Sequence, residues 1–162
     1  MKRILCITLS LLMLFAFAAC IQTKTDQKDQ KPKDQVLSRE GQSAQYGDLR
    51  FTYEEESRLV AKKTADDDSG MTMHTIRIRI SCNNNGGDIL ILSAKDFRVF
   101  VDGKEAEQSS RDSVEIMRGR SGEITLCADF RVPDDRHGKV EFDYIRSEYG
   151  SEWGKLTFAG EY

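Results

Sequence analysis

Thr75-Ile76-Arg77-Ile78-Arg79-Ile80-Ser81-Cys82 decides how this chain is read. Ile76, Ile78, Ile80 and Cys82 alternate with Thr75, Arg77, Arg79 and Ser81. Successive side chains on a strand point to opposite faces, so this spacing predicts a strand with one dry and one wet face. The same period appears on both sides of it. Leu49, Phe51 and Tyr53 alternate with Arg50, Thr52 and Glu54. Ile124, Leu126, Ala128, Phe130 and Val132 alternate with Thr125, Cys127, Asp129 and Arg131, and Val140, Phe142 and Tyr144 alternate with Glu141 and Asp143. Strands with one wet face belong to antiparallel sheets. Ile89-Leu90-Ile91-Leu92 and Phe97-Arg98-Val99-Phe100-Val101 are apolar enough to be expected at more central positions.

Turn signals separate these runs: Asp66-Asp67-Asp68-Ser69-Gly70, Asn83-Asn84-Asn85-Gly86-Gly87, Asp102-Gly103, Gly119-Arg120-Ser121-Gly122 and Pro133-Asp134-Asp135-Arg136-His137-Gly138. Asp102-Gly103, set between Val101 and Lys104, predicts a two-residue hairpin. Ser93-Ala94-Lys95-Asp96 fits a single helical turn between strands. Short strands at this spacing, without a long helical pattern, predict an all-β chain folded as an antiparallel immunoglobulin-like β-sandwich over residues 46–162.

Upstream the composition changes. Residues 20–45 are dominated by Gln, Lys, Asp, Thr and Ser, with Ile21, Val36 and Leu37 as the large apolar residues. A segment this polar cannot bury enough surface to offset its ordering entropy, and it is expected to be a disordered linker. As a flexible coil of about 25 residues it would span about 25–30 Å. Before it, Met1-Lys2-Arg3 is basic and Ile4–Ala19 is almost wholly apolar. That pattern, closed by Ala18 and Ala19, is a secretory signal over residues 1–19. The 16 residues of the apolar run, broken only by Thr8 and Ser10, are short of the roughly 20 that a spanning helix needs.

Phe17-Ala18-Ala19-Cys20 resembles a bacterial lipoprotein lipobox, with Phe17 standing where the family usually has Leu. The resemblance implies cleavage before Cys20 and attachment of a diacylglyceryl group to its sulfur. It implies a protein held at the cell membrane on the extracytoplasmic side. Ile21, where Asp would favour inner-membrane retention, permits outer-membrane sorting in a Gram-negative cell. A single acyl chain binds a membrane marginally and two or more hold it stably, which gives such an anchor its purpose.

The domain itself is similar to the DUF4352-type immunoglobulin-like domain of bacterial lipoproteins. The matching features are the strand Thr75–Cys82 with its Asn83–Gly87 exit, Phe97-x-Val99-x-Val101-Asp102-Gly103, and Gly119 through Phe130-x-Val132-Pro133. Arg118 stands where that family usually has Pro before the glycine. The resemblance implies a β-sandwich at the cell surface and no known catalytic residues.

Charge and composition narrow the function. Without residues 1–19, 22 basic residues face 27 acidic ones. A net charge of this sign argues against a nucleic-acid partner, which calls for a clustered basic face. There are two histidines, and no GxSxG elbow, phosphate loop or CxxC motif. The expected protein is a non-enzymatic interaction or envelope-associated module without a cofactor. Its partners would be the membrane, through the lipid, and an unidentified protein or envelope component.

Few residues carry chemistry. Cys6 leaves with the signal and Cys20 takes the lipid, so Cys82 and Cys127 remain as two free thiols or one disulfide. Export compartments let disulfides persist. Cys82 falls on the apolar face of its strand and Cys127 on the polar face of its own, which favours free thiols because a bridge needs converging Cβ vectors. Met71-Thr72-Met73-His74 offers thioether and imidazole ligands suited to copper, with Met117 and His137 as further candidates. That makes an extracytoplasmic copper-binding protein the alternative function, against the simpler expectation that the methionines open the strand. Asp66-Asp67-Asp68 and Glu54-Glu55-Glu56 lack the ligand spacing of a calcium loop and are expected to be solvated. Trp153, Tyr149 and Tyr162 could form an aromatic patch, although a last strand packed through Leu156 and Phe158 accounts for most of that region.

Overall fold

The computed structural model describes residues 34–61, 70–133, 135–145 and 154–162. The alternating runs become the frame of the molecule. β3 (Leu49–Val60), β4 (Met71–Asn84) and β9 (Ser121–Pro133) pair antiparallel, with β2 (Ser43–Tyr46) on the far side of β3. Ile76, Ile78, Ile80, Cys82, Ile124, Leu126 and Ala128 are buried on one face of this sheet. The second sheet runs β1 (Gln35–Leu37), β11 (Leu156–Glu161), β10 (Lys139–Tyr144), β6 (Phe97–Val101) and β7 (Lys104–Ala106). Its pairs are antiparallel except β1 with β11, which is parallel.

The two inner faces meet in one core. Phe51 of the first sheet lies 5.9 Å from Phe158 and 5.0 Å from Tyr144 of the second, ring to ring, and Tyr46 meets Tyr144 edge-on at 5.2 Å. Tilted and edge-to-face rings are the favoured aromatic packing. The expected immunoglobulin-like sandwich is therefore what the chain forms. Asp102-Gly103 turns the hairpin between β6 and β7 with both residues at positive φ, 50° and 75°. That pairing of φ values is what a tight hairpin turn of the primed type requires. Ala94–Asp96 forms one 3-10 turn, capped by Ser93 and the reciprocal Asp96 carboxylate.

Three expectations need correction. Residues 35–37 and 43–45 belong to the linker by composition, but they form β1 and, with Tyr46, β2. An edge strand is stabilised mainly by backbone pairing to a sheet that already exists, so Leu37, Ala44 and Tyr46 supply sufficient burial. Ile89–Leu92 is also less central than its apolarity implies. β5 (Leu90–Ser93) pairs only with β8 (Ser113–Ile116) as a two-stranded ribbon, burying Leu90 and Leu92 while Ile89 and Ile91 are each 59% exposed. Asp143, on the nominally wet face of β10, is buried because Thr157 and Lys155 close over its carboxylate at 2.6 and 2.8 Å.

Candidate functional site

The most developed recess lies on the outer face of the β3–β4–β9 sheet. Its floor follows from cross-strand register: Ser57, Arg77 and Cys127 form one row, and Glu55, Arg79 and Thr125 the next. A β-bulge between Tyr53 and Glu55 makes this possible. Before the bulge, Leu49, Phe51 and Tyr53 point into the core. One inserted residue reverses the alternation, so Glu55 and Ser57 face outward beside Arg79 and Arg77.

The wall is a segment that follows β7 and runs along the free edge of β9. Gln108 bridges to Ala128. The Ser109 N–H donates to the Cys127 carbonyl at 2.9 Å, and the Cys127 N–H donates to Gln108 Oε1 at 3.2 Å. The Thr125 N–H donates to Asp112 Oδ2 at 3.1 Å. These bonds occupy the strand edge much as another strand would and leave a cavity of about 540 Å³ beside it. Arg111 lines the cavity from the wall. Arg79 is tied to Glu55 at 2.7 Å and approaches Glu123 at 4.0 Å. Among the described residues, no carboxylate lies within ion-pair distance of Arg77 or Arg111.

Of the two arrangements left open for Cys82 and Cys127, the disulfide is absent and both are free thiols. Cys82 sits opposite Gly122 and Cys127 opposite Arg77 on the same pair of strands. Five residues of separation along a ladder amount to about 17 Å, far beyond disulfide reach. Burial in the core pushes the Cys82 thiol up to about 12. Cys127 instead lines the recess.

The copper cluster does not assemble either. Met71 and Met73 lie on the outer face of β4, whereas His74 lies on the inner face. The His74 ring stacks on Phe130 with centroids 5.8 Å apart and planes at 11°, and it meets Tyr162 at 5.4 Å. Met117 follows β8 at the opposite end of β4 near Asn84, so about 35 Å of strand separates it from Met73. His137 is exposed. No group of three His, Cys, Asp or Glu residues suited to a metal ion occurs among the described residues. Cys20, Asp66–Asp68, Tyr149 and Trp153 lie outside the described residues. Glu54–Glu56 are more engaged than solvated residues would be. Glu54 accepts from the Ser81 hydroxyl, and Glu56 accepts from Tyr53 at 2.9 Å and Arg58 at 2.7 Å.

A second polar cluster closes the far end of the sandwich. Asp102 accepts from the Lys139 N–H at 3.0 Å and the Tyr162 hydroxyl at 2.8 Å, and pairs with Arg136 at 2.7 Å. Those donors, led by the backbone N–H, hold the Asp102 carboxyl below its usual range. Burial and the bond to Asp102 raise the Tyr162 phenol, which therefore remains a donor. The Tyr162 ring packs edge-on against Phe130 at 4.7 Å. The arrangement fastens the end of β11 to the β6–β7 hairpin, a structural role.

No family model matches the sequence, and no curated protein matches it. Among solved structures, the fold is similar to that of ycdA from Bacillus subtilis subsp. subtilis str. 168, assigned as a lipoprotein. The identity is 17% and the TM-score 0.55, over 75% of this chain and 38% of that one. The chain thus corresponds to well under half of the ycdA structure. The yjhA protein of Bacillus subtilis is similar at 12% identity and TM-score 0.50, over 75% of this chain and 97% of that one. A β-sandwich protein of Clostridium difficile 630 aligns over 83% of this chain and 99% of its own, at 13% identity and TM-score 0.45. At such identities the likeness to ycdA and yjhA shows the fold.

Proposed function

We propose that this chain is a membrane-anchored bacterial surface lipoprotein whose β-sandwich is a non-enzymatic binding or envelope-associated module of the DUF4352 type. The observation that carries the reading is the N-terminal sequence itself. A basic start and a largely apolar run of sixteen residues ending in Ala18-Ala19 deliver Cys20 to the point where a lipoprotein peptidase cuts. The similarity of the fold to a structure assigned as a lipoprotein supports it. In this account Cys20 carries the lipid and residues 21–33 are the spacer. Thirteen residues reach at most about 45 Å, which keeps the domain close to the headgroups. No helix among the described residues is long and apolar enough to cross a membrane. The recess over β3, β4 and β9 is the face we assign to ligand contact. Growth with radiolabelled palmitate tests the anchor: the wild type takes up label and Cys20→Ser does not. Equal labelling of the two removes the lipid from the account.

A further inference from the structure

The recess over β3, β4 and β9 has the donors of an oxyanion site. Arg77 rises from the middle strand between Ser57 and Cys127, and Arg79 stands one pleat along on the same face. Arg111 lines the cavity from the wall segment. The two carboxylates of the recess are already engaged, Glu55 by Arg79 at 2.7 Å and Asp112 by the Thr125 N–H at 3.1 Å. Arg77 and Arg111 are left, among the described residues, as cations facing shared space without an acidic partner. Three arginines against two carboxylates leave the lining of the recess with a surplus of positive charge, which a bound anion offsets.

We infer that this recess binds a phosphate ester, with the phosphoryl group between Arg77 and Arg111. A guanidinium presents a planar fork of N–H donors that matches two oxygens of a phosphate or carboxylate. A carboxylate brings two oxygens and a single charge, so one fork engages both of its oxygens. A phosphoryl group has three terminal oxygens and up to two charges, enough to serve two forks and still accept from a hydroxyl. The hydroxyls of Ser57, Ser110 and Thr125 line the same cavity and suit a polar organic remainder. A cavity of about 540 Å³ is larger than a phosphate group requires and falls within the range of small-molecule sites, about 300–1,000 Å³. The net charge of the chain is −3, so attraction is confined to the recess and weakens as salt screens it.

This inference rests on the reading of the domain as a binding module and is independent of the lipid. Cys127 supplies the reporter, because it lines the recess while Cys82 is buried and its thiol is pushed to about 12. The full-length chain in detergent is alkylated with iodoacetamide, and the mass of the peptide carrying Cys127 is followed over time. Inorganic phosphate and glycerol 3-phosphate are the probes, with chloride at matched ionic strength as control. Both probes should slow alkylation saturably, glycerol 3-phosphate at the lower concentration. Arg77→Gln and Arg111→Gln should each raise the half-protecting concentration tenfold or more. Arg120→Gln, outside the recess, should leave it unchanged. Arg77→Lys keeps the charge but loses the fork, so its protection should weaken; full protection there contradicts the bidentate contact. No saturable protection, protection matched by chloride, or protection surviving both glutamine substitutions overturns the site. Equal potency of the two probes overturns the ester. Palmitate labelling is read separately on the same chain, so a failed site and a failed anchor are told apart.

Discussion

Gly138 shows how closely single residues are specified. A Cβ at this position would overlap Asp102 Oδ1, which accepts from the Lys139 N–H, and the Tyr162 hydroxyl, which donates to Asp102 Oδ2. Gly138→Ala therefore forces the cluster apart, and overpacking of that kind costs about 1–3 kcal/mol. A urea midpoint indistinguishable from wild type would contradict this. The same cluster makes stability depend on pH. The Asp102 carboxyl is depressed in the folded state, so its contribution is fully present above its unfolded value, about 3.9, and is lost as pH falls through the folded one. The stability difference between wild type and Asp102→Asn should be flat above pH 5 and shrink steadily below pH 4. A difference that grows on acidification contradicts the assignment. Sequence made part of this legible. Asp102-Gly103 declared its hairpin because tight turns demand positive φ. Nothing local announced that Tyr162, sixty residues away, would donate to Asp102.

At the level of elements, period-two patterning was the reliable signal. Wherever apolar residues alternated strictly, as in Ile76–Cys82 and Ile124–Ala128, the expected face is the buried one. The reading failed where pairing overrides composition. β1 and β2 are polar strands recruited to sheet edges, and β5 is an apolar strand with one partner. The recess was hidden for two reasons. A bulge reverses the facing of Glu55 and Ser57, and the wall reaches β9 through long-range backbone bonds. Arg77 and Arg79 were visible as an Arg-x-Arg pair on a wet face, but the third arginine and the cavity come from tertiary structure. The β5–β8 ribbon hangs on Asn84, which is 2% exposed. Its Nδ2 donates to the Asp88 and Ile116 carbonyls at 2.7 and 3.0 Å, and its Oδ1 accepts from the Gly86 N–H at 3.0 Å. Asn84→Ala leaves the buried Ile116 carbonyl without that donor, and one orphaned buried group costs about 1–3 kcal/mol. Native-state hydrogen exchange should show Leu90 and Leu92 losing protection before β4 and β9. Uniform loss across all strands would contradict a local role for Asn84.

For the molecule as a whole, two layers of strands carry the recess over β3, β4 and β9 on an otherwise polar surface. Its surface offers an anionic bilayer no general electrostatic attraction, since acidic residues outnumber basic ones 27 to 24. Membrane residence in this account therefore depends on covalent lipid, and a single cysteine decides it. The proposal for Cys20 rests on sequence alone, because a lipoprotein peptidase would read a linear pattern that requires no fold. The most direct measurement is the mass of the N-terminal peptide released from the protein isolated from cell membranes. The account predicts a peptide beginning at Cys20 and carrying a diacylglyceryl group on its sulfur. A peptide that begins elsewhere, or an unmodified Cys20, would contradict it.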